Sequence, residues 1–301
     1  ISYTISIILT FNLFFFIIYF SNINNNQNYT KELDLDIYQL YSPIKKNDRE
    51  KIKQDIKNII EKSSSEFIIF AENNYPYILD KLNNNSLFAN IDSKQKVILG
   101  ATRVDNFKYY NSFFLFEKNQ IQYFDKQILV PFGEFLPLRK YLKFMEAITG
   151  SEDFQKGNNE RIITTKDNTN ILPLICYEII FDNIFKNVNK NEIDVIINIT
   201  NDSWFGNLVG PYQHLYLSRI KSLISNKPVI RVSNNGVSAI INHNGKFLKF
   251  SKLNEISNLK YNLKIYNFKS FNNLHNYFFY YILIFFFLTF ILNKYNNNRN
   301  G

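Results

Sequence analysis

The segment Ile171-Leu172-Pro173-Leu174-Ile175-Cys176-Tyr177-Glu178 runs from a short apolar stretch into a thiol and a carboxylic acid. A short apolar run of this kind is typical of a strand buried on both faces of a parallel sheet. The end of such a strand is a rigid position facing a pocket, which is where a nucleophile is placed. Cys176 is the only cysteine in the 301 residues, which excludes an internal disulfide.

Two further acid/base residues have the same kind of setting. Glu72 follows the apolar run Phe67-Ile68-Ile69-Phe70-Ala71, and Lys126 ends the run Tyr123-Phe124-Asp125-Lys126. Taken singly, each residue has an ordinary alternative: a small buried hydrophobe for the cysteine, a solvated loop acid for the glutamate and a surface lysine. Together, one Glu, one Lys and one Cys just past three predicted strands form a candidate catalytic triad.

This triad predicts attack of a thiolate on an ester or amide carbonyl. A free thiol is mostly protonated at neutral pH, so it needs a base, and Glu72 fits that role if burial raises its pKa. Lys126 would stabilise the oxyanion of the tetrahedral intermediate. We expect Glu134 and Glu178 to orient the lysine and to shape the pocket.

The rest of the middle of the chain predicts an α/β layered domain, because strand and helix patterns alternate along it. Helices are predicted at Asp48–Ser63 and at Pro211–Ser225, the second with Pro at its start. A hairpin turn is predicted at Asn244-Gly245. Residues after Phe250 give little signal. The predicted strands are Ile37–Tyr41, Glu66–Phe70, Lys96–Thr102, Ser112–Phe116, Ile121–Phe124, Ile171–Ile175, Val195–Asn198, Pro228–Ser233, Ser238–Ile241 and Phe247–Phe250.

The two chain ends are apolar and predict membrane-spanning helices at residues 1–22 and 273–293. A signal peptide is the alternative for the first end and a buried terminal helix for the second. Lys294 and Arg299 follow the second span, so the tail 294–301 is expected to be cytoplasmic and residues 23–272 to lie on the outer side. The chain does not begin with Met, and we expect it to be a fragment or a processed product.

The net charge and the composition limit the classes of binding partner that we expect. The net charge is +9 and aromatic residues make up 17% of the chain. No Lys/Arg cluster of the nucleic-acid-binding type is present, so a membrane surface is the favoured partner and nucleic acid is not expected. His214, His243 and His275 are too widely spaced to predict a metal site.

Several longer blocks surround and follow the triad residues. They are Tyr123–Leu138 around the lysine, Ile175–Ile180 around the cysteine, Asn198–Gly206 with Gly210–His214, and Arg231–Ala239. These blocks resemble the nitrilase, or carbon–nitrogen hydrolase, superfamily and more closely the apolipoprotein N-acyltransferase family. The match extends over about Ile37 to Phe250 and keeps the family's order of motifs.

The resemblance implies an αββα sandwich flanked by transmembrane helices. It implies that Glu72 is the base, Lys126 the oxyanion stabiliser and Cys176 the nucleophile, with Glu134, Tyr177 and Glu178 in support. It also implies a multi-pass protein of the bacterial inner membrane, with residues 23–272 as a catalytic domain on the periplasmic side.

The implied reaction is a ping-pong acyl transfer. Cys176 would take an acyl chain from a membrane phospholipid as a thioester, and the amine of a diacylglyceryl-apolipoprotein would then remove it. No metal or other cofactor is implied. Aromatic stretches at Phe132–Tyr141 and Tyr141–Phe154 are candidates for arms over the pocket, with ordinary packing as the alternative.

Two departures from the family pattern and two rival functions stay open. Ala71 stands where the family usually has Pro, and the loop near Pro43–Asn47 lacks the family's Trp. A membrane-tethered amidase with water as acceptor is the first rival, and a catalytically inactive nitrilase-like protein is the second. The segment Ser233–Gly236 is either a plain turn or a border of the active site, and Gly236 is expected to have a positive φ.

Overall fold

The computed structural model of the chain describes residues 29–41, 48–79, 88, 91–142, 152–266 and 286–287. Residues Tyr29–Asn267 form a compact unit. Its twelve strands make two sheets of six, in the orders β12-β1-β2-β3-β4-β5 and β11-β10-β9-β8-β7-β6. The strands are β1 Lys31–Gln39, β2 Phe67–Phe70, β3 Lys96–Asp105, β4 Lys108–Glu117, β5 Gln120–Asp125, β6 Ile163–Thr164, β7 Asn170–Ile175, β8 Val195–Thr200, β9 Val229–Ser233, β10 Ala239–Ile241, β11 Phe247–Phe250 and β12 Ser257–Ile265.

The centre of each sheet is parallel and its edges are antiparallel. Strands β1, β2 and β3 run parallel in the first sheet, and β7, β8 and β9 run parallel in the second. Every residue of β2, β8 and β9 is buried, as expected for parallel strands that are covered on both faces. The α-helices in the described part of the chain are α1 Arg49–Lys62, α2 Asp182–Asn187 and α3 Gly210–Ser225.

Three apolar clusters hold these layers together, and the sandwich is therefore of the predicted αββα type. The central cluster joins the facing sides of the two sheets, with Ile69 and Ile98 packed in one core with Ile197. The second covers the other side of the first sheet with α1, through Ile56 and its neighbours. The third covers the second sheet with α2 and α3, as at Leu215.

Most predicted elements are confirmed, one predicted boundary is wrong and one strand was not predicted. The first strand is Lys31–Gln39 rather than Ile37–Tyr41. The stretch after Phe250 contains β12, which pairs antiparallel with β1 along its full length. Helix α3 has Pro near its start, and Gly245 adopts the positive φ expected of the predicted hairpin turn.

The predicted membrane spans and tail lie outside the described residues, apart from Phe286 and Phe287. The same holds for part of the predicted arm, since residues 143–151 are not described. Within the described residues, none of the helices has the length and apolar character needed to cross a bilayer.

Candidate active site

Three strand ends bring the predicted triad into one buried site. Glu72 comes just after β2, Lys126 directly after β5 and Cys176 directly after β7. The exposed fractions are 6% for Glu72, 1% for Lys126 and 6% for Cys176. The alternatives of a solvated loop acid and a surface lysine are therefore wrong. The site draws on both sheets, because β2 and β5 belong to the first and β7 to the second.

The Glu72 carboxylate is held at both of its oxygens. Oε1 accepts a hydrogen bond from Asn111 Nδ2 at 2.7 Å and lies 3.7 Å from Lys126 Nζ. Oε2 accepts from the Asn201 backbone N–H at 2.8 Å. Burial raises the pKa of Glu72 most strongly; Lys126 lowers the pKa, and the charge of Glu134 raises it again. Glu72 thus holds a proton more readily than an ordinary glutamate, as a general base near neutral pH requires.

Lys126 is kept charged by carboxylates. Its Nζ lies 2.9 Å from Glu134, and the Glu134 Oε2 also accepts the Val130 backbone N–H at 2.9 Å. Burial alone would lower the pKa of Lys126, but the carboxylates of Glu72 and Glu134 outweigh burial and raise it. The site therefore contains a fixed ammonium in a dry environment, which suits an oxyanion partner.

Cys176 begins a 3₁₀ turn, Cys176–Ile180, at the point where β7 ends. Its φ is 53°, in the left-handed region that residues other than glycine seldom occupy. Burial and the charge of Glu72 raise the pKa of the thiol to about 12. The resting thiol is therefore neutral at pH 7, and it becomes a thiolate only when a base takes its proton.

Tyr177 and Glu178 fix the segment that carries the lysine. The Tyr177 hydroxyl donates to the Leu129 carbonyl at 2.6 Å, and its ring lies 5.3 Å from Lys126 Nζ. Glu178 is fully buried and accepts the backbone N–H groups of Gln127 at 3.0 Å and of Ile175 at 3.0 Å. Glu178 thus ties the backbone after Lys126 to the end of β7, while Glu134 contacts the lysine directly.

Gly100 in β3 allows Glu72 to sit where it does. A Cβ at position 100 would lie 2.6 Å from the Glu72 Cα. The Gly100 N–H donates to the Ala71 carbonyl at 3.1 Å. The backbone beside Glu72 therefore packs directly on β3, and any side chain at position 100 would displace it.

Asn111 is a site residue that the sequence did not reveal. Its Nδ2 donates to Glu72 and to the Glu134 Oε1, each at 2.7 Å. Its backbone carbonyl accepts the Lys126 N–H at 2.9 Å. Asn111 lies inside β4 rather than at a strand end, and an interior position in a strand carries no sequence signal of a site.

A buried polar cluster behind Cys176 also went unrecognised. Arg231 pairs with Asp202 at 2.5 Å and His214 Nδ1 lies 3.0 Å from Asp202. The prediction for Gly236 is wrong, since Gly206 and Gly245 are the glycines with positive φ in the described chain. Gly236 is needed for space instead, because a Cβ there would lie 1.9 Å from Asp202 Oδ2.

No group of three or more His, Cys, Asp or Glu side chains within the described residues is arranged to hold a metal ion. The polar atoms of Glu72 and Lys126 are engaged with each other, with Asn111 and Glu134, and with the Asn201 backbone N–H. What the arrangement offers chemically is a thiol, a carboxylate base and a fixed cation converging on one place, which is the set required for nucleophilic attack on a carbonyl carbon.

Several curated proteins with similar sequences carry the name apolipoprotein N-acyltransferase. The protein of Rickettsia typhi is 45% identical over 155 residues, which is 51% of this chain and 31% of the relative. The protein of Rhizobium rhizogenes is 34% identical over 204 residues, 63% of this chain and 38% of the relative. This chain thus spans about a third of the length of the curated relatives that it matches.

Solved structures share the fold at low sequence identity. Nit3 of Saccharomyces cerevisiae, a nitrilase-superfamily member, superposes with a TM-score of 0.59 at 18% identity, covering 78% of this chain and 91% of that one. Glutamine-dependent NAD+ synthetase of Acinetobacter baumannii gives a TM-score of 0.59 at 16% identity, covering 80% of this chain and 48% of that one. A sequence profile of the carbon-nitrogen hydrolase family matches residues 38–259, most of the described unit. The chain belongs to the carbon-nitrogen hydrolase family.

Proposed function

We propose that this chain catalyses an acyl transfer in lipoprotein maturation. It moves an acyl chain from a membrane phospholipid to the amino terminus of a diacylglyceryl-cysteine apolipoprotein. The observation that carries the proposal is the buried grouping of Glu72, Lys126 and Cys176 in a chain whose relatives bear the name apolipoprotein N-acyltransferase.

In the first half-reaction the Cys176 sulfur attacks the ester carbonyl of the phospholipid while Glu72 takes the thiol proton. Concerted transfer fits the neutral resting thiol, whose pKa is raised to about 12. The carbonyl oxygen becomes an oxyanion beside the Lys126 ammonium. When the intermediate collapses, the C–O bond breaks, the lysophospholipid alkoxide takes the proton from Glu72, and a thioester remains on Cys176.

In the second half-reaction the α-amino group of the apolipoprotein attacks the thioester. Glu72 takes a proton from the nitrogen as the C–N bond forms. The C–S bond then breaks, and the sulfur recovers a proton from Glu72. The sum of both halves converts one phospholipid and one amine into one lysophospholipid and one amide, with the enzyme restored.

Exposed apolar side chains beside the site support a lipid as acyl donor. The segment after Asn201, whose N–H binds Glu72, exposes 79% of Trp204 and 81% of Leu208. Leu138 and Tyr141, in the first predicted arm, are also largely exposed. Exposed apolar side chains that lie close together along a segment, as Trp204 and Leu208 do, are typical of an interaction site. Together with the apolar chain ends, it supports a catalytic unit on the periplasmic face of the bacterial inner membrane.

The test supplies both substrates to the purified protein. Vesicles of phosphatidylethanolamine and phosphatidylglycerol provide the donor, and a synthetic peptide with a free diacylglyceryl-cysteine amino terminus is the acceptor. We expect the peptide to gain one acyl chain and one lysophospholipid to form per peptide, with no product from Glu72→Gln or from an N-acetylated peptide. Ammonia from small amides without acyl transfer would contradict the proposal and indicate an amidase, and a folded protein without either product would indicate an inactive domain.

A further inference from the structure

The backbone turn at Cys176 needs support from outside its own strand. The parallel ladder between β7 and β8 ends at the pair Ile175 and Ile199. The Cys176 carbonyl lies beyond that pair, in a buried environment where an unpaired carbonyl is costly. The left-handed φ of 53° adds a conformational cost for a residue with a side chain.

Asn198 in β8 supplies a donor to this carbonyl, and the His214 side chain is a second group that interacts with it. Its Nδ2 donates to the Cys176 carbonyl at 3.1 Å and to the Leu174 carbonyl at 3.2 Å. The two carbonyls lie on either side of Ile175, so one amide group clamps the end of β7 to the first residue of the turn. Asn198 is fully buried, and water does not compete for these bonds.

Arg231 fixes which way the Asn198 amide points. Its Nη1 donates to the Asn198 Oδ1 at 2.9 Å, which leaves Nδ2 as the group that faces β7. Arg231 is itself fully buried and is held by Asp202 at 2.5 Å. An arginine cannot release its proton, so a buried one needs a defined set of acceptors.

The same cluster touches the thiol and the base. The Thr200 side chain forms a hydrogen bond with the thiol of Cys176, and its hydroxyl donates to Asp202 Oδ1 at 3.1 Å. Between these two residues, the Asn201 N–H holds Glu72. One short segment at the end of β8 therefore contacts both the nucleophile and the base.

We propose that Asn198, oriented by Arg231, is a positioning residue that maintains the left-handed turn at Cys176 and so aims the thiol at Glu72 and at the acyl carbonyl. The part that concerns the acyl carbonyl rests on the proposed acyl transfer. The orientation of the thiol toward Glu72 does not depend on that reaction, and reagents that alkylate thiols test it without any phospholipid.

The decisive variant is Asn198→Asp, which keeps the size of the side chain and an oxygen acceptor for Arg231 but removes both donors to β7. Asn170→Asp is its matched control. Asn170 lies at the opposite end of β7 and also donates its amide to a backbone carbonyl, that of Glu192 at 2.7 Å, while its Oδ1 accepts from Thr164.

Alkylation by iodoacetamide, monitored by the intact mass of the protein, reports on Cys176 alone because the chain has one cysteine. We expect the rate of Asn198→Asp at pH 7 to fall about tenfold to 100-fold, the range associated with misplaced reacting groups. The wild-type alkylation rate should rise as the pH increases through the pKa of Glu72, because ionised Glu72 takes the thiol proton. The alkylation rate of the variant should rise only with ionisation of the thiol itself. Asn170→Asp should behave as wild type in both rate and pH profile.

A rate and a pH profile for Asn198→Asp that match those of Asn170→Asp would overturn the proposal, even if the variant were less stable. Arg231→Lys keeps the charge opposite Asp202 but cannot reach both acceptors, and it provides the test if Asn198→Asp does not fold. We expect a severalfold slower alkylation for Arg231→Lys, and an unchanged rate would contradict the role. Failure of acyl transfer by the wild-type protein would refute the proposed function while leaving this comparison intact.

Discussion

Lys126 keeps its positive charge in a buried site because two carboxylates lie within ion-pair distance of its ammonium. Glu134 is the nearer at 2.9 Å, and Glu72 is at 3.7 Å. Glu134 is also bound by Val130 and Asn111, so it is fixed in place. This arrangement leaves Glu72 less tightly paired and free to exchange a proton with Cys176.

Replacing Glu134 by Gln removes the nearer charge and lets the ammonium turn toward Glu72. A tighter pair with Lys126 lowers the basicity of Glu72 and draws the cation away from the oxyanion. We expect single-turnover acylation to slow about 10-fold to 1,000-fold, the scale of losing one stabilising group, with little change in phospholipid KM. Glu66→Gln is the control, because it breaks the similar Lys96 pair at 2.7 Å elsewhere in the first sheet. Equal rates for the two variants would contradict this role.

The pH dependence of acylation follows from the environment of Glu72. Glu72 accepts the thiol proton only when ionised, and burial, its largest influence, raises its pKa. The acidic limb of single-turnover acylation should therefore lie above the ordinary glutamate value of about 4.3, with activity rising as pH increases through it. Lys126 adds no alkaline limb near neutrality because its pKa is raised. An acidic limb at the ordinary glutamate value would contradict the assignment of the base.

The triad was predictable from sequence because each member directly follows a strong strand pattern. Asn111, Asn198 and Arg231 were not, since each lies inside a strand where polar residues have no distinctive pattern. Arg231 meets Asn198 across 33 positions of the chain, and such pairings exist only once the sheet is assembled. Sequence patterns thus locate the members of the candidate triad better than the groups that hold them.

At the scale of elements, the segment between β8 and α3 runs from the buried candidate site to the protein surface. Its first residues hold Glu72 and Arg231, and its later residues, including Leu208, are largely exposed and apolar. This change within a few residues is what an enzyme needs when its substrate enters from a bilayer. Tyr212 and Tyr216 of helix α3 are also exposed.

Leu208→Asp should weaken lipid turnover without harming the chemistry. A charge on this surface opposes contact with acyl chains, so we expect turnover of phospholipid vesicles to fall about tenfold or more, while iodoacetamide still alkylates Cys176 at the wild-type rate. Ile121→Asp is the control, since Ile121 is a partly exposed apolar residue at the start of β5, away from Lys126. Unchanged turnover by Leu208→Asp would show that this loop does not contact lipid.

Strand β12 shows what kind of element escaped prediction. Its inward residues Leu259, Tyr261, Leu263 and Ile265 alternate with polar ones, which is the half-buried strand pattern. The pattern is diluted by Asn and Lys, and its partner β1 lies more than 200 residues earlier in the chain. The predicted range Ile37–Tyr41 for the first strand is wrong for a related reason. The first half of β1 contains Glu32 and Asp34, which hide the apolar pattern of a strand.

For the whole molecule, the site exists only while the two sheets are packed together. Glu72 and Lys126 follow strands of the first sheet, and Cys176 follows a strand of the second. The central apolar cluster contains Ala71 and Cys176 themselves. Alternation of helices and strands predicted an α/β domain, but the pairing of sheets followed only from the family resemblance, since no local pattern specifies which sheets face each other.

Asp202→Asn tests how far the buried ion pair stabilises the fold. Burial by itself would raise the pKa of Asp202, but Arg231 and His214 outweigh burial and hold the pKa well below its usual range. Its contribution is therefore fully present above the unfolded-state pKa of about 3.9 and is lost as pH falls through the lower folded-state pKa. We expect a loss of about 3–5 kcal/mol in the free energy of unfolding at pH 7, shrinking below about pH 4. A loss independent of pH, measured by urea unfolding, would contradict the charge-based account.

The most direct test of the central claim is the intact mass of the protein after incubation with phospholipid vesicles and no acceptor. We predict a gain of one acyl chain on the wild-type protein, removed by hydroxylamine and absent from Cys176→Ala, because the thioester accumulates when no amine is present. An acyl adduct that persists in Cys176→Ala, or a folded wild-type protein that gains no mass, would contradict acyl transfer through Cys176.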